Sequence, residues 1–288
     1  MSDIVPPVRR RLVRGLTVYT FHDVTDAPSE YQRPLQLATP PAVFERQIDW
    51  ITQRHRVVHP DVLLDDAPSI EGGAALLTFD DGWAGIFRTA IPHLLRRGLP
   101  SLTFVNMGAV DGAPDLAAVT VRRAGGGASL PPWPTPDLVD AREVAVDADH
   151  LAFQGAYATR EDLEAVSGSP LVRLGNHLHH HWLAAGLDDE QFRVAFEANE
   201  RALATHPGRV PLFAFPFGRP GTHFLPHQVD LALSLGARRV FTSLPEPNPL
   251  PIGRLLHRVS LTAADRDASA CWYAVHHRGV RSRLGVDR

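Results

Sequence analysis

Two adjacent carboxylates, Asp80 and Asp81, follow an apolar run in Leu77-Thr-Phe-Asp-Asp-Gly82. Side by side at a strand end, both ionised, they would repel each other. A divalent cation relieves that conflict for one and leaves the other free to act as a base. A polar Asp-Gly turn is the plainer alternative. A second cluster, Gly175-Asn-His177-Leu-His179-His180-His181-Trp, supplies imidazoles. In a helical turn, His177 and His181 at i and i+4 would share a face and could bind one ion. His179 and His180 are available as well. Two histidines and a carboxylate leave coordination positions open for water and substrate, and imidazole suits zinc, with cobalt or nickel as alternatives. A third motif, Phe213-Ala-Phe-Pro216-Phe217-Gly218, could wall a sugar-sized pocket or turn a backbone N–H toward a developing oxyanion. Buried core strand is the competing reading.

These motifs need elements that bring them together. Each lies at the C-terminal end of a short apolar run. Leu16–Phe21 leads into His22-Asp23, residues 74–79 into Asp80, Ser101–Val105 into Asn106, 171–174 into Gly175, and 212–215 into Pro216. Between the runs lie helical patterns with start signals. Thr39-Pro40-Pro41 precedes Phe44, Ile48 and Ile51; Thr159 and Asp162 resemble a capping box; Asp188-Asp189-Glu190 opens a helix with Phe192, Ala195 and Phe196. Alternating strands and helices imply a parallel sheet covered on both faces or closed into a barrel. The strand ends of a barrel share one face, where His22, Asp80, Asp81, His177, His181 and Phe217 would converge.

The 288 residues, 44% hydrophobic, suffice for one α/β barrel or two small domains. Residues 108–150, rich in glycine and proline and weakly periodic, read as a loop-rich insertion over one rim. It has too few apolar residues for its own core. Its Trp133, with Phe153, is placed to shape a substrate pocket. Residues 1–15 read as a basic N-terminal arm carrying Arg9, Arg10, Arg11 and Arg14. With no interleaved aromatics and a net charge of −3, a nucleic-acid partner is not expected. Cys271 is the only cysteine, which excludes an intrachain disulfide and a cysteine-based metal site. No run reaches the ~20 apolar residues that span a bilayer. No secretory h-region precedes Gly15, so the expected location is cytoplasmic.

Taken in order, Thr78-Phe-Asp-Asp-Gly82, Asn176-His177-x-x-x-His181 and Phe213-Ala-Phe-Pro-Phe-Gly218 resemble the polysaccharide deacetylases, the NodB-like carbohydrate esterases. Tyr19-Thr-Phe-His22-Asp23 resembles that family's opening strand, and the likeness runs over about residues 16–260 without the insertion. It implies a single-domain, distorted (β/α)7 barrel that hydrolyses N-acetyl groups on carbohydrate. Carried over by position, Asp81, His177 and His181 would be metal ligands and Asp80 the general base. The Phe217 N–H would help hold the oxyanion. An arginine that often steadies the base in the proline motif is here Ala214, and Arg258 in Leu255-Leu-His257-Arg258-Val259 is the candidate replacement. The family's late general-acid histidine would be His257. Adjacent strand positions face opposite ways, so an inward Arg258 makes His22 the better proton donor. The expected substrate is an acetamido sugar, glycoconjugate or glycan precursor inside the cell. Deformylation or another C–N amide hydrolysis, and a non-catalytic carbohydrate-binding protein on the same fold, are the alternatives.

Overall fold

The computed structural model describes residues 15–125, 133–140, 144 and 147–283. The four arginines of the N-terminal arm, Pro131 and Pro132 lie outside the described residues. The strands are β1 (Leu16–Phe21), β2 (Asp23–Val24), β3 (Ala38–Thr39), β4 (Arg56–Val57), β5 (Ala74–Phe79), β6 (Ser101–Val105), β7 (Val172–Asn176), β8 (Arg209–Ala214), β9 (Arg239–Phe241), β10 (Leu255–Leu256) and β11 (Arg258–Ser260). The α-helices are α1 (Gln32–Leu35), α2 (Pro41–Thr52), α3 (Ile91–Arg96), α4 (Met107–Val110), α5 (Leu116–Arg123), α6 (Ala148–Gln154), α7 (Arg160–Ser167), α8 (Asp189–Leu203), α9 (Pro226–Ser234) and α10 (Ala268–Arg283).

The main sheet is parallel throughout, in the order β10-β9-β8-β7-β6-β5-β1-β11, with β4 beside β5. One short segment nearly closes it. Residues 255–256 pair with β9 and residues 258–260 with β1, so this segment is the seventh stave beside β1, β5, β6, β7, β8 and β9. At the break, the Asn248 side chain takes the place of a neighbouring strand. It accepts from the His257 N–H at 2.7 Å and donates to the His257 carbonyl at 2.9 Å. The result is the distorted (β/α)7 barrel expected from the sequence, in one domain.

Strand alternation sorts the core. Val18, Leu76, Phe104, Leu212 and Leu256 fill the barrel interior, while Tyr19, Phe21, Leu77 and Phe79 face outward onto Phe44, Ile48 and Ile51 of α2. Nearly every strand residue is buried, as a parallel sheet covered on both faces requires.

Two helix starts match the sequence: Thr159/Asp162 caps α7 and Asp188/Gln191 caps α8 with reciprocal hydrogen bonds. A third differs. Thr39 belongs to β3 and Pro40 occupies the cap position of α2, with no side-chain cap bond. Among its described residues, the 108–150 segment also contains a helix that its composition did not mark. It holds α5, capped by Asp115, whose Leu116, Ala117, Ala118 and Val119 are buried against the main core.

Candidate active site

All the chemistry-bearing motifs meet at the C-terminal end of the barrel, around a cavity of about 300 Å³. His22, Asp80, Asp81, His177, His181, Phe217, Trp133 and Arg258 line it. His257 does not. Leu256 fills the interior and Arg258 and Ser260 line the cavity, so His257 falls on the outward parity, where its Nδ1 lies 2.9 Å from Thr242 Oγ1.

Adjacent residues of a regular strand would likewise send Asp80 and Asp81 to opposite faces. The backbone prevents this. Asp81 has φ 73° and Gly82 φ 96°, so the chain turns sharply and both carboxylates reach the cavity. A Cβ on Gly82 would stand 3.0 Å from Val105 Cγ1 as well as in a left-handed conformation.

The histidine loop uses the same device. Residues 177–183 form no helix, contrary to the i, i+4 expectation. Leu178 at φ 58° and His181 at φ 54° coil the chain so that both imidazoles face Asp81. A polar clamp holds this loop. Asn176 Oδ1 accepts from the Leu178 N–H at 2.9 Å and from Asn199 Nδ2 at 2.9 Å; Asn199 also donates to the Val105 carbonyl at 2.8 Å. Left-handed conformations at non-glycine residues are costly and collect at functional sites. Here Asp81, His181 and Phe217 (φ 60°) all adopt them.

His177 Nε2 is 3.3 Å and His181 Nε2 3.2 Å from Asp81 Oδ1. His177 Nδ1 is 2.8 Å from the Ala214 carbonyl, which fixes the proton on Nδ1 and leaves Nε2 as an acceptor. An acceptor nitrogen then confronts a carboxylate oxygen, a contact that only a proton or a cation makes favourable. One ligand atom from each of Asp81, His177 and His181, all buried, lies within 4.8 Å of the others. Asp81 Oδ2 accepts from Trp83 Nε1 at 2.9 Å. Trp83 stacks on Tyr157 at 4.0 Å, and Tyr157 donates to Asp115 Oδ2 at 2.8 Å. The carboxylate is therefore oriented from behind by the 108–150 segment. Burial raises the Asp115 carboxyl above its usual range.

Asp80 has a different environment. Arg258 Nη1 donates to its Oδ1 at 2.6 Å, and the guanidinium is itself fixed by the Thr242 carbonyl at 3.0 Å and Thr20 Oγ1 at 3.3 Å. Burial pushes the Asp80 carboxyl up, but Arg258, His177 and His22 together hold it below the usual carboxylate range. Burial also opposes ionisation of Asp81, and His181 and His177 overcome it by a wider margin. The two carboxylates thus have separate partners.

Several contributors escape sequence reading. His223 and Ser243 line the cavity from the loops after β8 and β9. Ser243 Oγ donates to the Phe217 carbonyl at 2.8 Å, and His223 Nδ1 accepts from the Arg219 N–H at 3.1 Å. Asn199 has a legible signal, an amide on the otherwise apolar stripe of α8. Trp83 has a weaker one, its place two residues after the carboxylate pair. If Trp83 orients Asp81, Trp83→Phe keeps the stack but loses the N–H. Metal affinity, read by competition with a chromogenic chelator, is expected to fall about 10-fold, as for comparable outer-shell donors. Unchanged affinity would remove Trp83 from the site.

A parallel (β/α)7 barrel with acid and imidazole side chains gathered at its strand C-termini carries its candidate site on the face where barrel enzymes build theirs. The chain belongs to the polysaccharide deacetylase family, whose model matches residues 69–238. Among solved structures, IcaB from Ammonifex degensii is similar at 21% identity, TM-score 0.63, over 91% of this chain and 97% of that one. The deacetylase PplD of Streptococcus pyogenes, solved in complex with acetate, is 13% identical at TM-score 0.62, over 92% and 99%. A de-N-acetylase from Aggregatibacter actinomycetemcomitans is 16% identical at TM-score 0.58, over 84% and 93%. Comparison with curated proteins gave no match.

Proposed function

We propose that the protein is a metal-dependent N-deacetylase acting on an acetamido sugar or glycoconjugate. One observation carries this reading within the family. Three buried ligand atoms within 4.8 Å of each other stand beside a second carboxylate that is paired to arginine. The donor set fits a divalent ion, zinc first and cobalt or nickel next, because two imidazole nitrogens and a carboxylate oxygen already face one point. When bound, such an ion polarises the acyl oxygen and lowers the pKa of water toward about 7.

The chain's own groups then divide the proton work. Asp80, ionised and held by Arg258, takes the proton of the attacking water. The Phe217 N–H, which donates to no acceptor among the described residues, is assigned to the oxygen that gains negative charge as the carbonyl is attacked. As the C–N bond breaks, the departing nitrogen needs a proton. His22 is assigned that role, because it lines the cavity near both carboxylates while His257 faces away.

The test is product analysis on a panel of acetamido sugars with protein stripped of metal and reloaded with zinc. Expected are acetate and free amine in equal amounts, lost with chelator and restored by zinc. Formate or ammonia in place of acetate would move the reading to another C–N hydrolase. Turnover that persists in excess chelator would overturn the metal dependence.

A further inference from the structure

The turn that carries the Phe217 N–H has a definable geometry. The Gly218 N–H donates to the Pro216 carbonyl at 2.6 Å, and Phe217 between them has φ 60°. A bond from residue i+2 back to residue i around a positive-φ centre is a γ-turn of the rare, strained hand. Planar trans peptides then fix where the remaining groups point. The Pro216 carbonyl is directed inward to Gly218, so the Phe217 N–H, in the same peptide plane, is directed outward. The Gly218 N–H is directed inward too, which sends the Phe217 carbonyl outward.

One residue takes that carbonyl and the next. Ser243, two positions past β9, donates from Oγ to the Phe217 carbonyl and from its N–H to the Gly218 carbonyl, each at 2.8 Å. The two loops touch closely here. Gly218 has φ 71°, and a Cβ on it would stand 2.8 Å from Ser243 N. From another side, His223 meets the Phe217 ring edge-on at 5.6 Å while its Nδ1 accepts from the Arg219 N–H at 3.1 Å. A strained residue persists only where its surroundings over-determine it, and the two bonds from Ser243 bear directly on the strained peptide planes.

Resting on the deacetylase reading above, we propose that Ser243 is a positioning residue for the reaction. By holding the Phe217 and Gly218 carbonyls, it aims the Phe217 N–H at the oxygen that gains negative charge. Its hydroxyl proton is spent on the Phe217 carbonyl, so its effect reaches the substrate through the backbone. An N–H that binds its oxygen mainly in the transition state acts on kcat; misaiming it lowers kcat and leaves KM in place.

The experiment compares Ser243→Ala and Ser243→Thr with the parent, all zinc-loaded, on the acetamido sugar that the parent turns over fastest. Ser243→Ala is expected to lower kcat about 10-fold with KM and zinc content unchanged, a part of the ~10²–10³-fold cost of deleting an oxyanion donor. Ser243 is exposed, which leaves room for the threonine methyl, and Ser243→Thr should restore most of kcat. A second readout needs no turnover. In protein labelled with 15N only at phenylalanine, the Phe217 amide resonance is identified by its loss in Phe217→Tyr. It should move in Ser243→Ala and return toward its parent position in Ser243→Thr. Parent-like kcat in Ser243→Ala, a rise in KM in place of the fall in kcat, or an unmoved Phe217 resonance would overturn the inference and leave the deacetylase reading intact. No acetate from the parent on any substrate would overturn that reading and this inference with it.

Discussion

Asp80→Asn is expected to lower kcat for acetate release by ~10²–10⁴-fold while leaving zinc content unchanged, the range typical of losing a positioned general base. The asparagine is nearly isosteric but cannot take a proton from water. The variant should keep its zinc, because the cluster of candidate ligand atoms comprises Asp81, His177 and His181 without Asp80. Asp81→Asn should behave in the opposite order. It removes charge from the oxygen that both Nε2 atoms face at 3.2–3.3 Å, so metal is lost first and activity with it. Measuring zinc content and kcat on both variants separates the two roles. An Asp80→Asn protein with near-normal turnover would exclude Asp80 as the base.

That the two carboxylates differ was legible in the sequence; how they come to share a cavity was not. The apolar runs before Asp80 and Asn106 are the strands β5 and β6 residue for residue, because short buried parallel strands are marked by their composition. The site was placed by the rule that chemistry collects at strand C-termini, and the cavity lies there. What escaped depends on single backbone angles. An i, i+4 spacing of histidines fits a helix and also fits a loop with two left-handed residues. The clamp of Asn176 and Asn199 holds the loop here, together with the backbone bonds of His179 to Gly108 and Ala195. Likewise the placement of Asp115 and Pro134 in the 108–150 segment involves contacts distant in sequence, Asp115 with Tyr157 and Pro134 with Leu183. The parity argument about the last strand fared better. Inward Arg258 and outward His257 follow from a two-residue repeat that survives even where Asn248 interrupts the pairing.

Arg258→Met should give the largest loss of stability, about 3–5 kcal/mol at neutral pH, the cost of leaving one member of a buried ion pair alone. Arg258 and Asp80 are 2% and 6% exposed at their side chains, so water screens neither. The sign of the pH dependence follows from the Asp80 carboxyl. In the parent protein it is held below its usual value. Its stabilising contribution is therefore present above the unfolded pKa of about 3.9 and is lost as pH falls through the folded value. Without Arg258 the largest opposing influence is gone and burial raises the carboxyl. The contribution then reverses, present at low pH and lost as pH rises through the raised value. The stability gap between parent and variant should thus be widest near neutrality and should narrow toward pH 4, measured by urea unfolding of metal-free protein. Adding Asp80→Asn to Arg258→Met removes the stranded charge and should recover more than half of the loss. Arg258→Lys cannot reach Asp80, Thr20 and Thr242 together with one ammonium group, so its stability should fall between those of the parent and Arg258→Met. A gap that does not change with pH, or a double variant no more stable than Arg258→Met, would show that the arginine acts by packing and not by charge.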